Sequence, residues 1–273
     1  MKKKLKIFTQ LLILILLAGC QSEWQPNLIT DINNLEGRKV GVNLAWEADY
    51  ALTGRKDLEL YRYDSTADLI LALSYNKLDA IAVDHLTWRL FEKNSTGLKK
   101  IEPEIKTTGY LLYFKDEKLK NEYDQYLTEF KNTKEYEDFI QREMSFDGEY
   151  IGPEIELTGT GEAIVIAFDA AGYPRAFLDP GEDIPTGYDL EILKRFANEK
   201  NYHIDFVITN YDNAVIGLTD GRYDALAGYL SEEYANEARY YGLYTSMTMD
   251  EIPIYFVQKT QNKISIDMDM IEG

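Results

Sequence analysis

Residues 215–229, VIGLTDGRYDALAGY, repeat the plan of residues 70–84, ILALSYNKLDAIAVD. At a constant offset Leu73 faces Leu218, Asp79 faces Asp224, Ala80 faces Ala225 and Ala82 faces Ala227. Each copy reads as the end of a helix, a turn and a short apolar run, the join between helix and next strand in a βαβ series. Such a join could recur once by chance in any α/β chain. Two copies at the same place in two series point to two similar α/β lobes.

The surrounding pattern supports this division. RKVGVNLA, DLELYRYD and LDAIAVD read as strands, with STADLILALSYNK as a helix capped by Ser65 or Thr66. AIVIAF, HIDFVIT, YDALAGYL and EIPIYFVQK read as further strands, separated by the helices YDLEILKRFANEKN and YDNAVIGLTDGR. Between the halves, DEKLKNEYDQYLTEFKNTKEYEDFIQREMSF is charged and helical, with Leu119, Tyr123, Tyr126, Leu127 and Phe130 at helical intervals. Strands alternating with helices imply mostly parallel sheets, whose ligands lie beyond the carboxyl ends of the strands. The segments following DAIAV and DALAG are therefore aimed at a shared cleft.

Residues 1–19 have a lysine-rich start and a short apolar run, the plan of a signal peptide. The end of this stretch, Leu17-Ala18-Gly19-Cys20, resembles the bacterial lipoprotein lipobox, which implies lipidation of Cys20 and a tether over 20–30. Cys20 is the only cysteine, so an intrachain disulfide, a thiol zinc site and a mature cysteine nucleophile are excluded. His85 and His203 lack ligand-like spacing and read as structural or solvent-facing. Loss of residues 1–19 would move the net charge from −18 to −22, which argues against nucleic acid as a partner. No nucleophile–base set, metal cluster or phosphate-cradling loop is legible, since GTGEA at 159–163 precedes a strand. The expectation is a protein that is neither an enzyme nor dependent on a cofactor.

The stretch AIVIAFDAAGYPRAFLDPGEDIPTGYDLEILKRFANEKNYHIDFVITNYDNAVIGLTDGRYDALAGYL resembles the first lobe of bacterial extracellular solute-binding proteins of family 3, the polar amino acid receptors of ABC importers. NLEGRKVGVN and LDAIAVD resemble that family's second lobe, and KLKNEYDQYLTEFKNTKEYEDFIQREM its closing helices. The resemblance implies a two-lobe α/β fold of the type 2 periplasmic-binding-protein kind, with each lobe a mostly parallel sheet flanked by helices. The order differs from the family's: a second-lobe pattern over 31–114 and closing helices over 115–150 precede a first-lobe pattern over 151–260, with a tail over 261–273. Either the chain is circularly permuted, or it joins half of one tandem receptor to half of the next.

The same resemblance implies where a ligand is held. The family arginine that binds a ligand carboxylate falls at Ala235 or its neighbours, with Arg239 displaced by about one helical turn. The second-lobe Gly-Thr anchor is replaced by Asn43, Leu44 and Ala45. Asp84 matches the family acid that pairs with a ligand ammonium, although it also suits a helix N-cap. Phe168, Asp169 and Tyr173 fall in the loop where the family stacks aromatics, with Ala176 in place of the usual Phe. Gly228, Tyr229 and Ser231 follow the first-lobe strand, and Trp46 and Glu47 add an aromatic wall and an acid to the other lobe. The expected function is a lipid-anchored, extracytoplasmic receptor that closes on a small polar solute, amino acid-like or cationic, for an ABC permease. The alternative is a sensor or scaffold module with a degenerate site.

Overall fold

The computed structural model describes residues 28–179, 181, 183–228, 230–233 and 241–267. The first lobe in chain order begins with β1 (Arg38–Asn43), α1 (Glu47–Leu52), β2 (Leu58–Tyr63), α2 (Thr66–Ser74), β3 (Ala80–Asp84) and α3 (His85–Asn94). Strand β4 (Ser95–Thr96) and the long β5 (Leu98–Thr108) follow. The chain then crosses to β6 (Tyr113–Phe114), α4 (Glu117–Phe130) and α5 (Lys134–Met144). The other lobe holds β7 (Ala163–Phe168), β8 (Ala171–Gly172), β9 (Ala176–Leu178), β10 (Pro185–Thr186), α6 (Tyr188–Lys200), β11 (His203–Ile208), α7 (Tyr211–Thr219), β12 (Ala225–Ala227) and β13 (Tyr244–Thr245). Finally β14 (Ile252–Lys259) and β15 (Ser265–Ile266) return to the first lobe.

The two main sheets have the same plan. One runs β2-β1-β3-β14-β5, the other β11-β7-β12-β6-β13. In each, three parallel strands are followed by an antiparallel fourth that comes from the other half of the chain. A division of the sequence at 114/115 and 150/151 places 252–259 with the later lobe. That strand instead pairs with β3 and β5 in the earlier sheet, and 113–114 pair with β12 in the later one. Each strand thus completes the sheet opposite to its place in the sequence, so two segments, 109–112 and 246–251, cross between lobes.

Burial explains the layering. In the first lobe Val40, Val42, Ala80 and Ala82 face one core with Leu35 and Leu52, while Leu69, Leu73, Ile81, Val83 and Trp88 face another. This is the inside–outside alternation of a sheet covered on both faces. In the second lobe Ile164, Ile166 and Phe168 pack under α4, α5 and α6, whereas Ala167 and Leu226 face α7 through Ala214 and Leu218. The helices start where the sequence supplies caps: Ser65 accepts from Asp68 N, Asp116 from Leu119 N and Asn210 from Asn213 N.

The ends of the described chain meet. Ile29 N donates to Gln258 Oε1 at 2.7 Å and Gln258 Nε2 donates back to Ile29 O at 3.2 Å. Residues 145–162 run as a strap from α5 to β7, held to α6 by Thr158 N and Asn198 Oδ1 at 2.8 Å and by Thr160 N and Asn201 Oδ1 at 3.1 Å.

Helix α6 begins at Gly187, whose φ is +125°, with a Cβ position 2.3 Å from Arg175 O. The close approach lets Asp189 N donate to Arg175 O at 3.0 Å. Gly187→Ala therefore meets both backbone strain and a clash, and is expected to lower stability by about 1–3 kcal/mol from strain alone. Urea denaturation checks this: an unchanged midpoint would contradict it.

Candidate functional site

Loops at the carboxyl ends of β1 and β3 in one lobe and of β7 and β12 in the other face one another. After β1 the chain turns through Ala45, with φ +58°, into α1. Asp49 holds this turn: its carboxylate accepts from Ala45 N at 3.0 Å and Thr53 Oγ1 at 3.1 Å, and is clamped by Arg62 Nε at 2.9 and 3.1 Å. Glu47 is thereby fixed at the first turn of α1, pointing at the opposite lobe.

Glu47 is 2 % exposed and close enough to Asp84, Glu233 and Ser231 to feel each of them. Burial, with the Asp84 charge second, pushes its carboxyl from 4.5 up to about 8, while the Ser231 hydroxyl pulls weakly the other way. The Ser231 Oγ makes no hydrogen bond of ordinary geometry. Asp84, at the end of β3, is also buried and its proton affinity is raised by desolvation. It caps α3, accepting from Thr87 N at 2.8 Å and from Thr87 Oγ1 at 3.0 Å. The cap uses one lone pair on each oxygen and leaves capacity for a further donor.

The other lobe contributes a bridge between Ser231 and Tyr110, with Glu232 N donating to Gly109 O at 3.1 Å. Glu233 accepts from Thr108 Oγ1 at 2.8 Å and pairs with Lys106, both on β5 of the facing lobe. Tyr50 of α1 packs against the second-lobe cluster that includes Leu230 and Tyr211. The interface is thus closed by side chains from both lobes, and acids outnumber cations in it among the described residues.

The other expected site residues are placed as follows. Asn43 is buried at the end of β1 and donates from Nδ2 to Thr66 Oγ1 at 2.6 Å, while its Oδ1 has no hydrogen-bond partner. Trp46, at the N-cap of α1, keeps 39 % exposure. Asp169 shapes its own loop, accepting from Ala171 N at 3.0 Å and Tyr211 N at 3.1 Å. Gly228, with φ +101°, donates its N–H to Asp189 Oδ2 at 2.9 Å. Phe168 does not line the cleft: it is fully buried, edge-on to Phe206. Tyr173 packs on Phe146 and Phe177, and its hydroxyl accepts from Tyr150 N and donates to Gly148 O, so it braces the strap. Tyr229, Ala235, Arg239 and Cys20 lie outside the described residues. His85 Nε2 lies 2.8 Å from Met144 O, and His203 is exposed beside Asp205.

One buried cation with three acid partners was not singled out from the sequence. Arg175, fully buried, donates Nε to Asp189 at 2.7 Å, Nη1 to Glu143 at 2.6 Å and Nη2 to Asp250 at 2.7 Å, with its guanidinium 4.1 Å above the Tyr110 ring. Three carboxylates against one guanidinium leave excess negative charge in a dry site. Burial and the Asp250 charge push the Glu143 carboxyl well above the carboxylate range. A lone charge inside the apolar run AGYPRAF was the available signal.

Among the described residues no group of three or more His, Cys, Asp or Glu is arranged to hold a metal, and no helix is long and apolar enough to cross a membrane. A cavity of about 270 Å³ beside Trp88, Leu98 and Lys100 lies between α3 and β5, away from the strand ends.

No curated protein matches the chain. Among solved structures, a ligand-binding component of an ABC-type import system from Staphylococcus aureus aligns at 12% identity, covering 82% of this chain and 66% of its own, with TM-score 0.40. A probable amino-acid ABC transporter extracellular-binding protein from Bacillus subtilis aligns at 11%, covering 88% and 89%, with TM-score 0.43. A phosphate-binding protein of a Streptococcus pneumoniae ABC transporter aligns at 10%, covering 83% and 90%, with TM-score 0.41. Scores at this level say less than the strand order above. The sequence comparison is more specific: residues 164–263, from β7 through β14, match the family model of bacterial extracellular solute-binding proteins, family 3.

Proposed function

We propose that the chain is an extracytoplasmic receptor that closes its two lobes on a small cationic solute and presents the closed form to an ABC permease. The family match over 164–263 supports a ligand-binding receptor. The observation that carries the choice of solute is the interface between lobes, where Glu47 and Asp84 are both buried at strand ends. An ammonium placed there would compensate two carboxyls that burial raises, Glu47 also by the charge of Asp84, and charge-assisted bonds are strong where water is excluded. Closing needs no chemistry, only contacts made with both lobes at once.

On this reading the two lobes are written in rotated order. The meeting of Ile29 with Gln258 and the strap 145–162 support it, because they join the ends that rotation would exchange. The lipobox-like Cys20 would anchor it through the tether that leads into the first lobe.

A thermal-shift panel of arginine, ornithine, putrescine, spermidine, choline, glutamate and glucose tests the solute class. Saturable stabilisation by cationic members alone is expected, by mass action on the folded state. Asp84→Asn keeps an oxygen for the cap and loses the charge. It should weaken binding about tenfold or more, close to 1.4 kcal/mol, with little change in the unliganded melting temperature. Stabilisation by glutamate or glucose instead would contradict the cationic reading.

Two observations favour the sensor or scaffold reading: Asp84 is already engaged by Thr87, and Tyr50 packs across the interface. A chain closed by its own side chains would pass on its state without a solute, and a flat thermal-shift panel on a cooperatively folded protein would favour that reading.

A further inference from the structure

We infer that Arg175 is a positioning residue that makes both crossing segments part of the second lobe, so that the pivot of closure lies at 108/109 and 251/252. The inference rests on the receptor reading for its relevance but on separate residues for its evidence. Asp250 lies in the crossing segment 246–251, and Tyr110 in the segment 109–112. Arg175 binds the first through Nη2 and covers the ring of the second, while Asp250 Oδ1 accepts from Tyr110 N at 3.1 Å. One guanidinium therefore holds both segments.

The same group reaches the cleft. Asp189 bridges Arg175 Nε and the N–H of Gly228, at 2.7 and 2.9 Å, so the loop after β12 and the crossing segments share one rigid set of charge-assisted bonds. The closing helices reinforce it: Asp124 Oδ1 accepts from Met247 N, Lys131 Nζ donates to Thr248 O and Tyr136 OH donates to Met249 O. From 252 onward the chain joins the first-lobe sheet, where Ile252 pairs with Thr108. Hinges absorb change at a few residues where element membership switches, and the switch falls there. A fork with fixed geometry suits the task, because three acceptors at set angles over-determine its position.

The test compares two buried carboxylates of the second lobe. Asp250→Asn removes one acceptor, so either the Arg175 or the Tyr110 link must break. Glu191→Gln breaks the pairing of Glu191 on α6 with Arg142 on α5 and with Arg195, away from the crossing segments. Spin labels at positions 75 and 220, both exposed, report lobe separation in full-length protein carrying Cys20→Ser. Hydrogen exchange reports on 109–112 and 246–251. Both variants should melt earlier. Only Asp250→Asn should broaden the separation at least twofold and speed exchange in the crossing segments at least tenfold. Equal broadening in the two variants, or an unbroadened Asp250→Asn, overturns the inference. No solute is needed for either readout, so failure of the receptor reading in a binding screen leaves this result standing.

Discussion

Arg175→Met is expected to lower stability by about 3–5 kcal/mol, the usual cost of removing one partner from a buried ion pair. For a chain of this size that is a fall in melting temperature of roughly 10 °C. The loss comes less from the bonds than from what stays behind. Glu143, Asp189 and Asp250 would remain buried around an apolar side chain, with no cation to compensate them. Acid relieves uncompensated buried negative charge, so the deficit should shrink between pH 7 and pH 5. Arg175→Lys should recover part of the loss, since an ammonium supplies the charge without the three-way fork. Scanning calorimetry at the two pH values decides it. A deficit that is independent of pH would mean that lost packing, not stranded charge, is the cause.

The second large effect concerns Glu47. Its carboxyl is raised from 4.5 to about 8, so the closed form binds a proton that the open or unfolded form has released above pH 4.5. For a carboxyl raised on burial, stability is greatest below its unfolded value and falls as pH rises toward its folded value. Over the window from 4.5 to 8 the integrated effect reaches about 4–5 kcal/mol. Burial of Glu47 depends on the lobes meeting, so separation relieves the strain before unfolding does. Raising the pH from 6 to 9 should therefore increase the mean separation of labels at 75 and 220, while Glu47→Gln stays closed across the range. Equal pH responses of wild type and Glu47→Gln would remove Glu47 from the account.

Local pattern carried much of the fold. The helices 66–74, 188–200 and 211–219 and the strands 38–43, 80–84 and 203–208 follow from periodicity and caps that each segment holds within itself. The sheet to which a strand belongs is a different kind of fact. Ile254, Tyr255, Phe256 and Val257 in EIPIYFVQK are buried on both faces, so the segment suits the middle of either sheet. Its partners lie more than 140 residues away in the chain, which no local pattern records.

The site was legible to a similar depth. Placement of Asp84, Glu47 and Ser231 near the strand ends follows from the βαβ rule. The burial of Phe168 was legible too, since Ile164, Ile166 and Phe168 share the inward parity of β7, yet its position at the strand end suggested a cleft wall. Arg175 was hidden because its acids stand at 143, 189 and 250, brought together only by packing of α5, α6 and a crossing segment.

The central claim is that the lobes close on a small cationic solute, and its most direct test is lobe separation measured during a titration. Protein labelled at 75 and 220 would be held at pH 8.5, where ionised Glu47 favours the open form, and titrated with the cationic solutes named above. The account predicts a saturable shift to the shorter separation with at least one of them, its midpoint raised about tenfold or more in Asp84→Asn, and no shift with glutamate. A separation that no cationic solute changes, in protein that still opens with pH, would contradict it.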